Sequence, residues 1–202
     1  MQTGGRGRQG RVWQSPPGNL YASTIVRLRA GDPAAATLGF VAAVALADAV
    51  QAVAGPVAAL GLKWPNDVMI DGAKLAGILL ERAGDAVVIG FGVNLASHPD
   101  DLDRPTISLA AQGHAVEPAA MLDHLVAALA RSLITWRGQG FAAIRQRWLA
   151  LAHPPGTRLR VRAGEGAAID GRFDGLDPDG ALILRLADGA ARVIHAGDVF
   201  LI

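Results

Sequence analysis

The sequence predicts an α+β fold: a mixed β-sheet with helices mainly on one face, followed by a small all-β barrel. Three observations lead there. Asp71-Gly72 stands between two apolar runs, a short-range signal for a hairpin. An alanine-rich segment around residues 34–54 is apolar over most of its helical circumference, so it must pack on a sheet and be partly covered on its other side. Beyond His153-Pro154-Pro155-Gly156, short apolar runs alternate with Asp/Gly turns. The linker divides the chain into residues 1–152 and a barrel over 153–202.

Composition narrows the function classes. The chain has 202 residues, long enough for a buried core, and a formal net charge of +1. No global field draws it to nucleic acid or anionic membrane, so an electrostatic site has to be local. It has no cysteine, which excludes a disulfide framework, a thiolate nucleophile and Cys-ligated zinc, and fits a cytoplasmic location. The five histidines, at 98, 114, 124, 153 and 195, show no metal-ligand spacing. The apolar stretch 34–62 resembles a membrane span in composition, but Asp48 and Gln51 lie inside it and Gly55-Pro56 breaks it. A buried helix of a soluble protein is the expected reading.

Along the chain, Ser15-Pro16-Pro17-Gly18-Asn19 forms a turn and a strand follows over 20–28. Asp32-Pro33 reads as a helix N-cap with proline at the first helical position, starting a helix that reaches residue 54. The runs 61–70 and 73–81 pair across Asp71-Gly72, which puts Asn66-Asp67 and Lys74 on neighbouring antiparallel strands. A further strand covers 86–95, and its Gly90 and Gly92 imply close approach by another group. Residues 96–117 make a loop long enough to suggest ordering by a ligand. Helices are expected over 117–136 and 141–151, and barrel strands over 158–162, 168–176, 181–186 and 191–195.

Two stretches carry chemistry. Residues 2–13, Gln-Thr-Gly-Gly-Arg-Gly-Arg-Gln-Gly-Arg-Val-Trp, alternate glycines with Arg6, Arg8 and Arg11. Glycines admit close approach of main-chain N–H groups, and guanidinium forks suit carboxylate and phosphate oxygens. The stretch reads as an anion cradle or as a flexible basic tail on nucleic acid. Lys74 lies just past a tight turn among Leu75, Ala76, Gly77 and Ile78. An ammonium there either stays in solvent or bridges a carboxylate and a phosphate that would otherwise repel. Asp67 could stabilise it or accept a proton, Asn66 could ligate Mg²⁺, and either residue could instead cap its own turn. Trp13 suits stacking on a planar heterocycle, and Trp64 suits the core.

Residues 2–13, Lys63-Trp64-Pro65-Asn66-Asp67, Lys74-Leu75-Ala76-Gly77-Ile78-Leu79 and Gly90-Phe91-Gly92-Val93-Asn94-Leu95 resemble, in order and spacing, four motifs of the biotin protein ligases. The C-terminal segment with Ala196-Gly197-Asp198-Val199 resembles that family's SH3-like domain. The resemblance implies a class II synthetase/biotin–lipoyl ligase-like catalytic domain and a two-step reaction. Biotin's carboxylate attacks the α-phosphate of ATP to give biotinyl-5′-AMP, and a carrier-protein lysine then takes the biotinyl group. By resemblance, Lys74, Arg6, Arg8 and Asp67 are catalytic. Gln2, Gly5, Arg6, Gly7, Arg8, Lys74 and Gly77 would bind biotin, and Arg8, Arg11, Trp13, Asn66 and Asn94 would bind ATP. Mg²⁺ would arrive with ATP, near Asn66, without a protein-only metal site.

The implied partner is a biotin carboxyl carrier domain such as that of acetyl-CoA carboxylase, with neither DNA nor membrane, and a homodimer is compatible. In the family a Ser-Thr-Asn strand gripping the ureido ring precedes the first motif, as does a winged helix-turn-helix in the repressor-type ligases. Here that motif begins at Gln2, so the expectation is a chain without either, with weaker biotin binding and an exposed sheet edge. Two other readings compete: a noncatalytic paralogue that docks carriers or sequesters ligand, and a lipoate or octanoate transferase of related fold. The Arg/Gly loop favours biotin.

Overall fold

Alternating burial along the strand Ala86–Val93 sets the orientation of the first sheet. Val87, Ile89, Phe91 and Val93 are buried while the residues between them are less so, the period-2 signature of a strand with two unlike faces. The computed structural model describes residues 2–102, 104–162 and 167–202. Its first sheet comprises β1 (Leu20–Arg27), β2 (Leu60–Lys63), β3 (Asp67–Ile70), β4 (Ala73–Ala83) and β5 (Ala86–Val93), in the order β1-β5-β4-β3-β2. All four ladders are antiparallel. The mixed character expected of the sheet is confined, among the described residues, to isolated parallel bridges, Lys74 with Thr106 and Leu62 with Ala152. β1 is an edge strand, its outer side unpaired among the described residues.

Helix α1 (Leu38–Ala54) packs on β2, β3 and β4 and is covered in turn by α2 (Pro118–Gln139) and α3 (Phe141–Leu151). That double cover is why its apolar residues run around the whole circumference: Val41, Ala42, Val44, Ala45 and Leu46 are all fully buried. By length and composition residues 35–54 could cross a membrane, yet the segment is mostly buried inside the protein.

Asp32 does not cap this helix, contrary to the sequence pattern. A 3₁₀ turn, Ala35–Thr37, intervenes, and Thr37 holds the N-cap position of α1. Asp32 instead accepts from the Arg29 N–H at 3.0 Å and pairs with Arg137 of α2 at 3.2 Å. The tertiary charge partner outcompetes the local cap.

The run 61–70 is likewise two strands, β2 and β3, with Trp64, Pro65 and Asn66 in the turn between them. Asn66 therefore sits beside the sheet, while Asp67 opens β3. The loop 96–117 contains a 3₁₀ turn, Ala110–Gln112, and the protein's own hydrogen bonds hold it at residues 95–97 and 105–107. Asn19 Oδ1 accepts the N–H groups of Leu95, Ala96 and Ser97, and further on Lys74 N donates to Pro105 O and Ile107 N to Lys74 O.

The second sheet is formed by β6 (Arg158–Arg162), β7 (Ile169–Leu176), β8 (Leu182–Arg185), β9 (Ala191–Ile194) and β10 (Asp198–Leu201), in the order β10-β6-β7-β8-β9. β10 has no counterpart among the four strands expected from sequence. The barrel leans on the first sheet through Trp64, which is 4% exposed and donates its indole N–H to Gly180 O at 3.0 Å. Gly180 has φ +91°, and a Cβ there would lie 2.7 Å from the Phe40 ring. Arg145 Nε also donates to Leu176 O at 3.1 Å. A roughly 48-residue barrel gains from such contacts the burial it lacks alone.

His153, at the junction, has a buried Nε2 without a partner among the described residues. Burial, and secondarily the nearby Lys63, hold its pKa below the usual 6.5. The unfolded chain then binds a proton at about 6.5 that the folded chain refuses, so stability is level above that value and falls as pH drops below it toward the folded pKa. We expect the melting temperature to decline between about pH 7 and pH 5.5 more steeply than in His153→Gln, a window set by the imidazole reference value. Parallel Tm–pH curves for the two proteins would show that His153 does not contribute.

Candidate active site

A cavity of about 600 Å³ opens on the sheet face away from α1, between the N-terminal loop and the strands. Its floor is set by Gly77 and Gly92, cross-strand partners on β4 and β5. Trp13 lies on them. A Cβ at Gly92 would come within 2.5 Å of the indole Cε2, and one at Gly77 within 3.0 Å of Cζ3. The close approach expected at Gly92 is therefore made by this side chain, whereas a Cβ at Gly90 would meet only ordinary contacts. The indole N–H is buried there without a partner among the described residues.

Lys74 reaches the same face because of a β-bulge. Gly77 is three residues on, and strict alternation would put the two on opposite faces. The β3–β4 register shifts between Val68 and Met69, leaving Leu75 without a partner residue, and this extra residue turns Lys74 toward Gly77. A Cβ on Gly77 would sit 3.1 Å from Lys74 Nζ. The ammonium is nearly buried, pairs with Asp67 Oδ1 and lies 5.4 Å from the Trp13 ring centroid.

Asp67, 5% exposed, is held on both oxygens, since Lys63 Nζ approaches Oδ2 at 3.1 Å. Burial alone would raise the Asp67 carboxyl, but attraction to Lys74 and then Lys63 outweighs it and holds its pKa below the usual range. Burial also lowers the Lys74 ammonium, Asp67 opposes that, and Arg104 and Lys63 add to the lowering. The result is an ionised carboxylate between two cavity-lining ammonium groups, which meet an incoming anion at little desolvation cost.

The Arg/Gly stretch is a folded loop, which removes the flexible-tail reading. Gly7 N donates to Arg11 O at 2.7 Å, Trp13 N donates to Gly5 O at 3.0 Å, and Arg6 bridges Val12. Gly5 is fixed by this closure, as a Cβ on it would meet Trp13 O at 2.5 Å. Gln2, Arg6, Gly7, Arg8 and Arg11 line the cavity opposite Lys74. Arg11 pairs with both oxygens of Asp198 at 2.7 Å, and Arg8 donates to Gly197 O at 3.1 Å. A partly exposed pair of this kind contributes about 0–1 kcal/mol, so an incoming polyphosphate can displace it.

Of the residues expected to act, Gln2, Arg6, Gly7, Arg8, Arg11, Trp13, Asn66, Asp67, Lys74 and Gly77 line this one cavity. Gly5 and Asn94 do not. Asn94 is 3% exposed and donates its side-chain amide to Ile107 O at 3.1 Å, tying the 104–109 loop to β5. Asn66 lines the cavity while its Nδ2 donates to Ile78 O at 2.6 Å.

Sequence reasoning gave no role to Lys63, Arg104 and Asp198, which also line the cavity. Lys63 could have been found from its i,i+4 spacing to Asp67 across a proline turn. Arg104 carries no local signal, and neither does Asp198, whose partners Arg8 and Arg11 lie far along the chain.

Residues 1–94 match the family model of the biotin/lipoate A/B protein ligases, and residues 156–202 match that of the biotin protein ligase C-terminal domain. A biotin–[acetyl-CoA-carboxylase] ligase of Paracoccus denitrificans is 46% identical over 98% of this chain and 87% of its own length. The enzyme of the same name from Mycobacterium tuberculosis is 37% identical over 98% of this chain and 75% of its own. The fold superposes on a biotin protein ligase from Aquifex aeolicus, solved with biotin and ATP, with a TM-score of 0.87 at 24% identity, covering all of this chain and 86% of that one. With both family models matched in order and a curated relative at nearly half identity, this chain belongs to the biotin protein ligase family.

Proposed function

We propose that this chain ligates biotin to a lysine of a biotin carboxyl carrier domain, such as that of acetyl-CoA carboxylase, through biotinyl-5′-AMP. The observation that carries the reading is the opposition, across one cavity, of a guanidinium-lined loop and a buried Lys74–Asp67–Lys63 cluster. Joining a carboxylate to a polyphosphate requires concentrated positive charge around two groups that repel.

In the first step a biotin carboxylate oxygen bonds the α-phosphorus as the bond to pyrophosphate breaks. Lys74 faces both anions, Arg6 and Arg8 hold the acyl phosphate, and Arg11 leaves Asp198 for the polyphosphate. Gln2, Gly5, Gly7 and Gly77 shape the biotin side, with Trp13 moving off the floor to admit the ring. Asn66 and Asn94 serve the nucleotide side, Asn94 through the loop it ties down. Mg²⁺ would supply charge neutralisation on the phosphates. The neutral Asn66 oxygen suits it, whereas Asp67 is taken by two ammonium groups.

In the second step the carrier lysine nitrogen bonds the acyl carbon, the bond to AMP breaks and the amine proton is released. Asp67 is ionised, weakly basic and anchored, so orienting the incoming amine suits it better than accepting its proton. Residues 1–152 would form the catalytic part and 153–202 the barrel.

The test is intact-mass analysis of a purified carrier domain incubated with this chain, ATP, Mg²⁺ and either biotin or octanoate. The expected product is one biotinyl adduct on a single lysine, dependent on ATP. An octanoyl adduct without a biotinyl one would assign the chain to acyl transfer instead. Biotin binding by calorimetry without any adduct would make it a sequestering protein.

A further inference from the structure

Lys63, a member of the charged cluster that lines the cavity, has unusual surroundings. It ends β2, one turn before Asp67, and its side chain is nearly buried. Its ammonium lies 3.1 Å from Asp67 Oδ2 and donates to Val199 O of β10 at 3.0 Å. One cation therefore joins the cavity's carboxylate to the barrel's backbone. Burying an ammonium is costly unless its donors are met, and here both acceptors are needed. Lys74, on β4, takes the other Asp67 oxygen. The remaining charged groups lining the cavity are Arg6, Arg8, Arg11, Glu81, Arg104 and Asp198. Among the described residues, Asp67 forms its ion pairs with Lys63 and Lys74.

We propose that Lys63 is a positioning residue that couples barrel docking to the active site: it binds Val199 O and Asp67 Oδ2 together, so that the docked barrel fixes the carboxylate that sets the place of Lys74. The idea rests on the adenylation role of Lys74. Without Lys63, both Asp67 oxygens turn to Lys74 and hold its ammonium back from the reacting anions, and β10 loses one of its ties to the first sheet. Coupling of this kind is reciprocal. A change at Asp67 must loosen the barrel, and loosening the barrel must slow the site.

Two measurements on the full chain test this. The first is hydrogen exchange of the β6 and β10 amides. Lys63→Met and Asp67→Asn are each expected to raise exchange there severalfold, while Lys74→Met leaves it unchanged. The second is biotin- and ATP-dependent pyrophosphate release. Lys63→Met should lower kcat about tenfold with KM for both substrates little altered, the pattern of an interaction needed in the transition state. Lys63→Arg, whose fork can reach both acceptors, should restore most of the rate and the slow exchange.

Unchanged exchange in Lys63→Met overturns the proposal, as does a rate loss that arginine fails to rescue. Lys63→Gln serves where the Met variant fails to fold. If the parent protein releases no pyrophosphate, the ligase reading falls, and the exchange measurement still decides the role of Lys63.

Discussion

Lys74→Ala is expected to lose adenylate formation by about 10²–10³-fold or more, the scale seen when one preorganised donor to a developing charge is removed. The structure gives two reasons for an effect at the upper end. Lys74 is nearly buried, where water screens its charge little, and it lines the same cavity as Arg6 and Arg8. The fold should survive. Breaking a buried pair costs about 3–5 kcal/mol when it strands the partner charge. Here Asp67 keeps Lys63, so the loss of stability should fall short of that range. The measurements are biotin-dependent exchange of pyrophosphate into ATP for activity and circular dichroism for the fold. An alanine variant that retains exchange would remove Lys74 from the chemistry.

Gly92→Val should abolish productive biotin binding by filling the cavity floor. The glycine is not conformationally special, since its φ lies outside the left-handed range, but a Cβ there would lie 2.5–2.7 Å from three indole atoms of Trp13. Real contacts are not that short, so Trp13 must leave, and the two methyls then occupy the place that biotin's ring would take above Gly77. Overpacking commonly costs about 1–3 kcal/mol, which in binding is about fivefold to more than a hundredfold in affinity. Trp64, Trp136 and Trp148 are at most 4% exposed, so Trp13 dominates the tryptophan fluorescence open to acrylamide. The variant should show increased quenching together with lost biotin binding by calorimetry. Unchanged quenching and affinity would mean that the indole does not sit on this floor.

These two residues show how far sequence reached. Gly92 was marked by its position inside a strand, and Lys74 by an apolar context beside a hairpin turn. Neither observation contained the other. Alternation from Lys74 to Gly77 points them to opposite faces, and only the bulge at Val68/Met69 reverses this. The Asp32 cap failed for a similar reason, because its charge partner is Arg137, far along the chain. Asn94, whose motif position suggests a nucleotide contact, also gives its amide to Ile107 O and so ties down the 104–109 loop, a contact that motif position does not reveal.

The sequence by itself determined the α+β class, the hairpin around Asp71-Gly72, the third helix to the residue and the family, because these follow from local periodicity, turn chemistry and ordered motifs. Tertiary structure decided which charges meet. It set Asp67 between two lysines, laid Trp13 across Gly92 and Gly77, and brought Arg11 to Asp198 and Lys63 to Val199. Each of these contacts joins residues whose pairing depends on strand register, on a single extra residue in β4 or on the docking of the barrel, and such long-range geometry leaves no periodic trace in the chain.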